Sequence, residues 1–291
     1  MQAILKVDRA LKFVIVLGYM FTSAGMSQAA GIISSPTFRV YNVGIYNNTP
    51  DLSQYNIGEI KIVYPNEIWL DGTDNRFPPS DVILRESVRR VYNKISSDVE
   101  YICLDIENWP VVGQPDRVAI SKAYYIDIVK RFKQMMPGKK IGLYGVLPIR
   151  NYYDAINTNK PGYHKWIASV ESLSEIANEV DVIFPSLYTF TDNRRDWVKY
   201  AESNIQAAKR FNKPIIPLIW PQYHQSNRLV GLKYIPADFW RLQLETIAEN
   251  ADGVAIWGGW DVKNKRKQDW NVNAEWWSVV LDFMRRYRLL I

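Results

Sequence analysis

From residue 38 onward the chain alternates short apolar, β-branched or aromatic runs with longer amphipathic ones, and this rhythm limits the fold more than any other feature. The short runs predict strands at 38–44, 67–70, 101–106, 140–146, 180–188, 214–220 and 253–258. The longer ones predict helices near 81–95, 116–136, 172–178, 192–212, 236–250 and 273–288. Pro236 opens one of these helices, and Met136-Pro-Gly-Lys and Asn212-Lys-Pro make short helix-to-strand turns. A strand–helix alternation of this kind argues for a parallel sheet with helices outside it. An eighth strand near 163–170 would close a single (β/α)8 TIM-type barrel, so the expectation is an α/β barrel of seven to eight strands, distorted if one is missing. There is no G-x-G-x-x-G or G-x-x-x-x-G-K-[ST] loop, which counts against a nucleotide-binding sheet. No Pro/Ser/Gly linker interrupts residues 30–291, which read as one barrel domain.

Residues 1–29 have the order of a signal peptide. Lys6, Arg9 and Lys12 precede an apolar stretch from Phe13 to about Met26, and Ser27-Gln28-Ala29 supplies a small-residue cleavage site. The expectation is a secreted or periplasmic protein without stable membrane insertion once the signal is removed; the competing reading is an uncleaved signal anchor. Cys103 is the single cysteine, which excludes an intrachain disulfide, and its apolar surroundings predict a buried small hydrophobe. The net charge is +6, with basic residues gathered at Lys263–Lys267 and at Arg285, Arg286 and Arg288. Such a surface is either simply solvated or attracts an anionic polysaccharide. No nucleic-acid-binding motif accompanies the charge. With two histidines, one cysteine and no ligand-spacing motif, neither a metal nor another cofactor is expected. The sequence says nothing about oligomeric state.

The segment that carries chemistry is YICLDIENWP, residues 101–110. On a strand, residues i and i+2 share a face, so Asp105 and Glu107 point the same way with Cα atoms about 6.5 Å apart. Two carboxyls this close do not both ionise freely, and one is expected to keep its proton toward neutral pH. Trp109, just beyond, is expected to offer a flat apolar surface for a sugar ring. Asp71, Tyr144, Tyr188, Trp220, Trp257 and Asp261 also fall at or just past the carboxyl ends of predicted strands. Active sites of (β/α) barrels lie on that face, so these residues are expected to converge.

Four of these strand-end pieces, DIENWP (105–110), GLYGVLP (142–148), FPSLYTF (184–190) and GVAIWGGWD (253–261), occur in an order and spacing that resembles the hyaluronidase family of glycoside hydrolases. The resemblance implies a distorted barrel that cleaves a β-linked N-acetylhexosamine polymer by substrate assistance, the sugar's own acetamido oxygen attacking the anomeric carbon. It implies Glu107 as proton donor to the leaving oxygen and Asp105 as the acid that orients the acetamido group and stabilises the oxazolinium ion. It further implies Tyr188 as hydrogen-bond donor to the acetamido oxygen, with Tyr144 and Trp257 as walls of the sugar pocket. The chain departs from the family pattern at Asn108, where a second acid is usual, at Val111 and Val112, where a base often follows, and in lacking disulfides. These departures bear on hyaluronan as the substrate more than on glycoside cleavage.

Two other readings compete. One is a conventional two-carboxylate glycosidase, in which Glu107 pairs with Asp71 or Asp261 across about 5–5.5 Å for retention or about 6.5–9.5 Å for inversion. The other is a glycan-binding barrel without catalysis, since folds host many functions; it has no need of both acids and the tyrosine.

Overall fold

The computed structural model describes residues 38–69 and 74–290. The signal-peptide reading of 1–29 and the Asp71 assignment lie outside those residues. Six parallel strands form the sheet: β1 (Arg39–Asn42), β2 (Gly58–Val63), β3 (Tyr101–Leu104), β4 (Lys140–Leu143), β5 (Leu218–Ile219) and β6 (Gly253–Ile256), in the order β4-β3-β2-β1-β6-β5. The register runs continuously around the curl, with Tyr41 opposite Gly58, Ile62 opposite Cys103, Cys103 opposite Gly142, and Ile219 opposite Ile256.

The two edges, β4 and β5, are joined by the irregular segment 182–188. Asp181 N–H donates to Ile141 O (2.8 Å) and Gly145 N–H to Phe184 O (3.0 Å) on one side. On the other, Ile183 N–H donates to Pro214 O (2.9 Å) and Leu187 N–H to Leu218 O (2.9 Å). The segment is therefore a seventh stave, and the barrel is closed but distorted. Its irregularity has a local cause: Pro185, Pro214 and Pro217 have no N–H to give, which breaks the ladder on both sides of this seam.

Helices cover the outside: α1 (Pro65–Ile68), α2 (Asp81–Tyr92), α3 (Pro115–Met135), α4 (Tyr152–Ala155), α5 (Pro161–Glu171), α6 (Ser174–Glu179), α7 (Arg194–Lys209), α8 (Ala237–Asn250) and α9 (Glu275–Arg286). Among the described residues none of them is long and apolar enough to cross a membrane. A two-stranded hairpin, β7 (Trp260–Asp261) with β8 (Arg266–Lys267), projects after β6.

Two sequence expectations are corrected. Of the predicted strand 67–70, the described residues 67–69 do not form one: Pro65 starts α1, and the Glu67 carboxylate accepts the Tyr64 N–H at 3.1 Å, which stabilises a helical turn. The strand lies just upstream at Gly58–Val63, where Ile60 and Ile62 alternate with polar residues. The segment 163–170 is not the eighth strand but part of α5, which Pro161 opens.

The strands bury both faces, as parallel barrels require. Side chains pointing out, among them Val40, Ile102, Leu104, Ile141 and Val254, pack against the helices. Those pointing in form a second cluster that includes Tyr41, Ile60, Ile62, Cys103, Phe184, Leu218 and Ala255. The barrel is thus filled, not hollow, and its inward column ends upward in polar and aromatic groups. Cys103 is fully buried in this column.

Candidate active site

The inward column continues past the last paired residue of each strand. On β2 the sequence Ile60, Ile62, Tyr64 keeps one face, on β3 Tyr101, Cys103, Asp105, on β5 Leu218, Trp220, and on β6 Ala255, Trp257. Backbone bonds extend the ladders to carry these side chains: Asp105 N–H to Val63 O (3.0 Å), Tyr144 N–H to Leu104 O (3.0 Å) and Trp257 N–H to Ile219 O (2.9 Å). They meet at the carboxyl-end face in a cleft of about 1360 Å³, lined among others by Asp105, Glu107, Tyr144, Tyr188, Trp220 and Trp257.

Three rings make one corner of the cleft. Trp220 and Trp257 lie edge to face with centroids 4.9 Å apart, and Tyr188 stands 5.9 Å from each. Trp257 Nε1–H donates to Tyr64 Oη at 3.1 Å, and Trp220 Nε1–H donates to Gln222 at 3.1 Å. The Tyr144 and Ser186 hydroxyls are 3.0 Å apart. Both indoles therefore have their polar atom satisfied; Trp220, 2% exposed, backs the corner, while the partly buried Trp257 leaves an apolar face toward the cleft. Burial pushes the Tyr64 and Tyr144 phenols up to about 12 and Tyr188 well above its ordinary value, so all three remain hydrogen-bond donors across the working pH range.

The two acids differ in environment. Asp105 is raised to about 7, by burial first and by the neighbouring Glu107 second, with Arg150 pulling the other way. Its Oδ1 is buried and has no hydrogen-bond partner. Glu107, by contrast, has 48% of its side chain exposed and is ion-paired with Arg150. The carboxyl that keeps its proton is thus the inner one. His224, facing this pair from the segment after β5, is lowered by burial first and by Arg150 second, while Glu107 opposes both.

Not every predicted site residue joins the cleft. Trp109 is 3% exposed and packs among Trp69, Tyr124 and Tyr125 with centroid distances of 5.1–5.8 Å, its Nε1–H donating to Asn75 O at 3.2 Å. The i, i+2 pattern fails here because β3 ends at Leu104, and the Tyr125 hydroxyl ties down Ile106 O (2.7 Å) and Trp109 O (3.1 Å) in the turn that follows. Trp109 therefore supports the loop that carries Glu107 instead of offering a sugar platform. Asp261 sits on the hairpin, bonded to Asn264 (2.7 Å), and does not line the cleft, although its neighbours Trp260 and Val262 do.

The cleft also contains groups that the sequence reading missed. Arg150 follows β4 on a loop fixed by Trp166 Nε1–H to Ile149 O (2.8 Å), and its guanidinium carbon lies 5.7 Å from the centre of the Tyr144 ring. Tyr64 could have been found from the Ile60, Ile62 alternation. Arg150 and His224 sit on loops, and Tyr152 and Tyr153 open the single-turn α4, so no periodicity marks any of them.

No protein-family model matches the chain, and no curated protein matches it either. Among solved structures it is similar to bee venom hyaluronidase at 16% identity, with a TM-score of 0.58 over 86% of this chain and 97% of that one. A second crystal structure, of bee venom hyaluronidase in complex with a hyaluronic acid tetramer, matches with the same TM-score and identity over 86% of this chain and 96% of that one. These likenesses place the fold among TIM-type (β/α) barrels.

Proposed function

We propose that the protein is a glycoside hydrolase acting on a polysaccharide at a β-linked N-acetylhexosamine, by substrate assistance. The observation that carries this reading is the make-up of the cleft. Among its described lining residues Asp105 and Glu107 are the only carboxylates, they share one strand end, and they face a Tyr188–Trp220–Trp257 corner suited to a sugar ring. A two-carboxylate mechanism needs a second acid across the bond being cleaved. Among the described residues no carboxylate stands across the cleft from this pair, which favours the acetamido oxygen of the sugar as nucleophile; Asp71 lies outside those residues, and the substrate panel below separates the two mechanisms. The bee venom protein that shares the barrel is a hyaluronidase, crystallised with a hyaluronic acid tetramer, which adds to the case for a polysaccharide substrate.

In this reading the empty cleft below pH 7 holds its proton on Asp105, while Arg150 steadies Glu107. A sugar seated against Tyr188 and Trp257 inserts its leaving oxygen beside Glu107, which receives the proton and passes it to that oxygen as the glycosidic bond breaks. Asp105, now an anion, faces the acetamido N–H and the positive charge of the oxazolinium ion. The Tyr188 hydroxyl donates to the acetamido oxygen and directs it at the anomeric carbon. Water then opens the oxazolinium ring and returns a proton to the acid pair. The net positive charge of the chain is compatible with an anionic polymer. Residues 1–29 would direct export and be removed, which amino-terminal sequencing of the secreted protein tests.

The test of the enzymatic reading is product formation from a panel of polysaccharides by wild type and Glu107→Gln. Turnover of an N-acetylhexosamine polymer that falls by about 10² or more in the variant supports it. Turnover only of glycans that lack the acetamido group removes substrate assistance, and binding without cleavage leaves a non-catalytic glycan-binding barrel.

A further inference from the structure

The aromatic corner does not stop at the acid pair. From Tyr188 a line of rings runs outward along one wall: His224 at 6.5 Å, Phe190 at 4.7 Å from His224, Tyr152 at 6.0 Å from Phe190, and Tyr153 at 5.7 Å from Tyr152. The inner members are half-buried, whereas Tyr153 is 77% exposed. Leu229, 85% exposed, lies at the mouth of the same cleft. A single exposed Tyr or Leu means little. Here both line one cleft, and Tyr153 ends a continuous line of rings that leads to the acid pair.

We propose that this wall is a stacking track for further sugars of the same glycan chain, with Tyr153 as its outermost platform. The inference rests on the polysaccharide reading of the acid pair and adds to it that the substrate is gripped over several sugars. Two further observations point the same way. The cleft volume of about 1360 Å³ exceeds the roughly 300–1,000 Å³ typical of a site for one small molecule. The platforms are also held in place before any ligand arrives. The Tyr152 hydroxyl is 3.1 Å from Thr191 Oγ1, and the His224 ring nitrogen Nδ1 is 2.8 Å from Ser226 Oγ. The Asn151 side chain caps α4 by accepting the Asp154 N–H at 3.1 Å, so the turn that presents Tyr153 is fixed. A pyranose has an apolar C–H face and a polar rim; rings held ready along a wall suit the face, and little ordering is left to oppose binding.

The experiment compares wild type, Tyr153→Ala and Tyr153→Phe on hyaluronan fragments and chitin oligosaccharides of four sugars and of eight or more, by kinetics and by calorimetric binding. The expected result is that the ratio of kcat/KM for long over short substrate falls roughly tenfold in Tyr153→Ala, through KM, and is restored by Phe, which keeps the stacking face. An equal loss at both lengths, or no loss, overturns the track while leaving the glycosidase reading intact. If wild type neither cleaves nor binds any of these oligosaccharides, the track falls together with the reading on which it rests. Tyr153 is exposed, so its replacement is not expected to disturb folding; matching melting temperatures of the three proteins confirm this.

Discussion

The guanidinium of Arg150 is ion-paired with the Glu107 carboxylate at the mouth of a cleft whose inner acid, Asp105, is raised to about 7. Both partners are more than a third exposed, with 39% and 48% of their side chains accessible, so the pair adds little to stability. Its weight falls on the electrostatics of the site. Arg150 is the group that holds Asp105 down against burial and Glu107.

Replacing Arg150 by Met removes that pull. The basic limb of the kcat/KM profile, where activity falls as the acid pair loses its proton, is then expected to move to higher pH than in wild type. The melting temperature should stay within about two degrees, as for loss of a surface ion pair. A pH–rate profile that does not move would show that Arg150 acts on neither acid.

Asp105 also ties stability to pH. Its carboxyl titrates near 3.9 in an unfolded chain and at about 7 in the folded one. Between these values the folded protein retains a proton that the unfolded chain gives up, so Asp105 costs nothing below pH 4, its cost grows as pH rises from about 4 to 7, and the loss is complete above the folded value. Asp105→Asn removes the burden. The variant should melt a few degrees above wild type at pH 8 and close to it at pH 4, while losing activity at both. Parallel melting curves for the two proteins across this range would place the buried proton elsewhere.

Much of this site can be read from the chain alone, and the reason is the two-residue period of a strand. Asp105 faces the cleft because it continues the alternation of β3, with Glu107 on the loop just beyond, and Tyr144, Tyr188, Trp220 and Trp257 arrive by the same rule on neighbouring staves. The rule ends where the ladder ends. Trp109, two residues beyond Glu107, belongs to a turn held by Tyr125 and points into the helical layer. Residues 67–70 and 163–170 have strand-like composition, yet Pro65 and Pro161 start helices there. Arg150, His224 and Tyr153 come together only because the barrel brings its loops to one face, a relationship with no trace in local sequence.

The two tryptophans that flank the acids in sequence and in space should separate cleanly. Trp109→Ala removes a buried indole from among three other rings and should cost about 3–5 kcal/mol, read by denaturant unfolding. Trp109→Phe, which refills most of that volume, should keep activity on any substrate that wild type cleaves. Trp257→Phe should behave in the opposite manner. It keeps the core but loses the Nε1–H bond to Tyr64 and part of the sugar wall, so KM should rise with little change in stability. Equal effects of the two Phe variants on KM would return Trp109 to the cleft.

Closure of the barrel depends on a missing side chain. Gly142, on β4, faces the irregular seventh stave, and a Cβ at this position would lie 2.6 Å from Val182 O and 2.7 Å from two carbons of the Phe184 ring. The obstacle is partly backbone, so it cannot rotate away. Phe184 itself is fully buried in the inner column. Gly142→Ala should therefore push 182–188 outward and destabilise the protein by about 1–3 kcal/mol, the range for overpacking a filled core. The displaced stave carries Ser186 and Tyr188, so activity should fall at temperatures where the variant is still folded. Gly138→Ala provides the contrast. Nothing lies within 4 Å of its Cβ, but its φ of +84° makes Ala strained there, so a cost in stability should appear without loss of activity in the folded protein. If Gly142→Ala is as active as Gly138→Ala when both are folded, the seventh stave does not set the position of Tyr188.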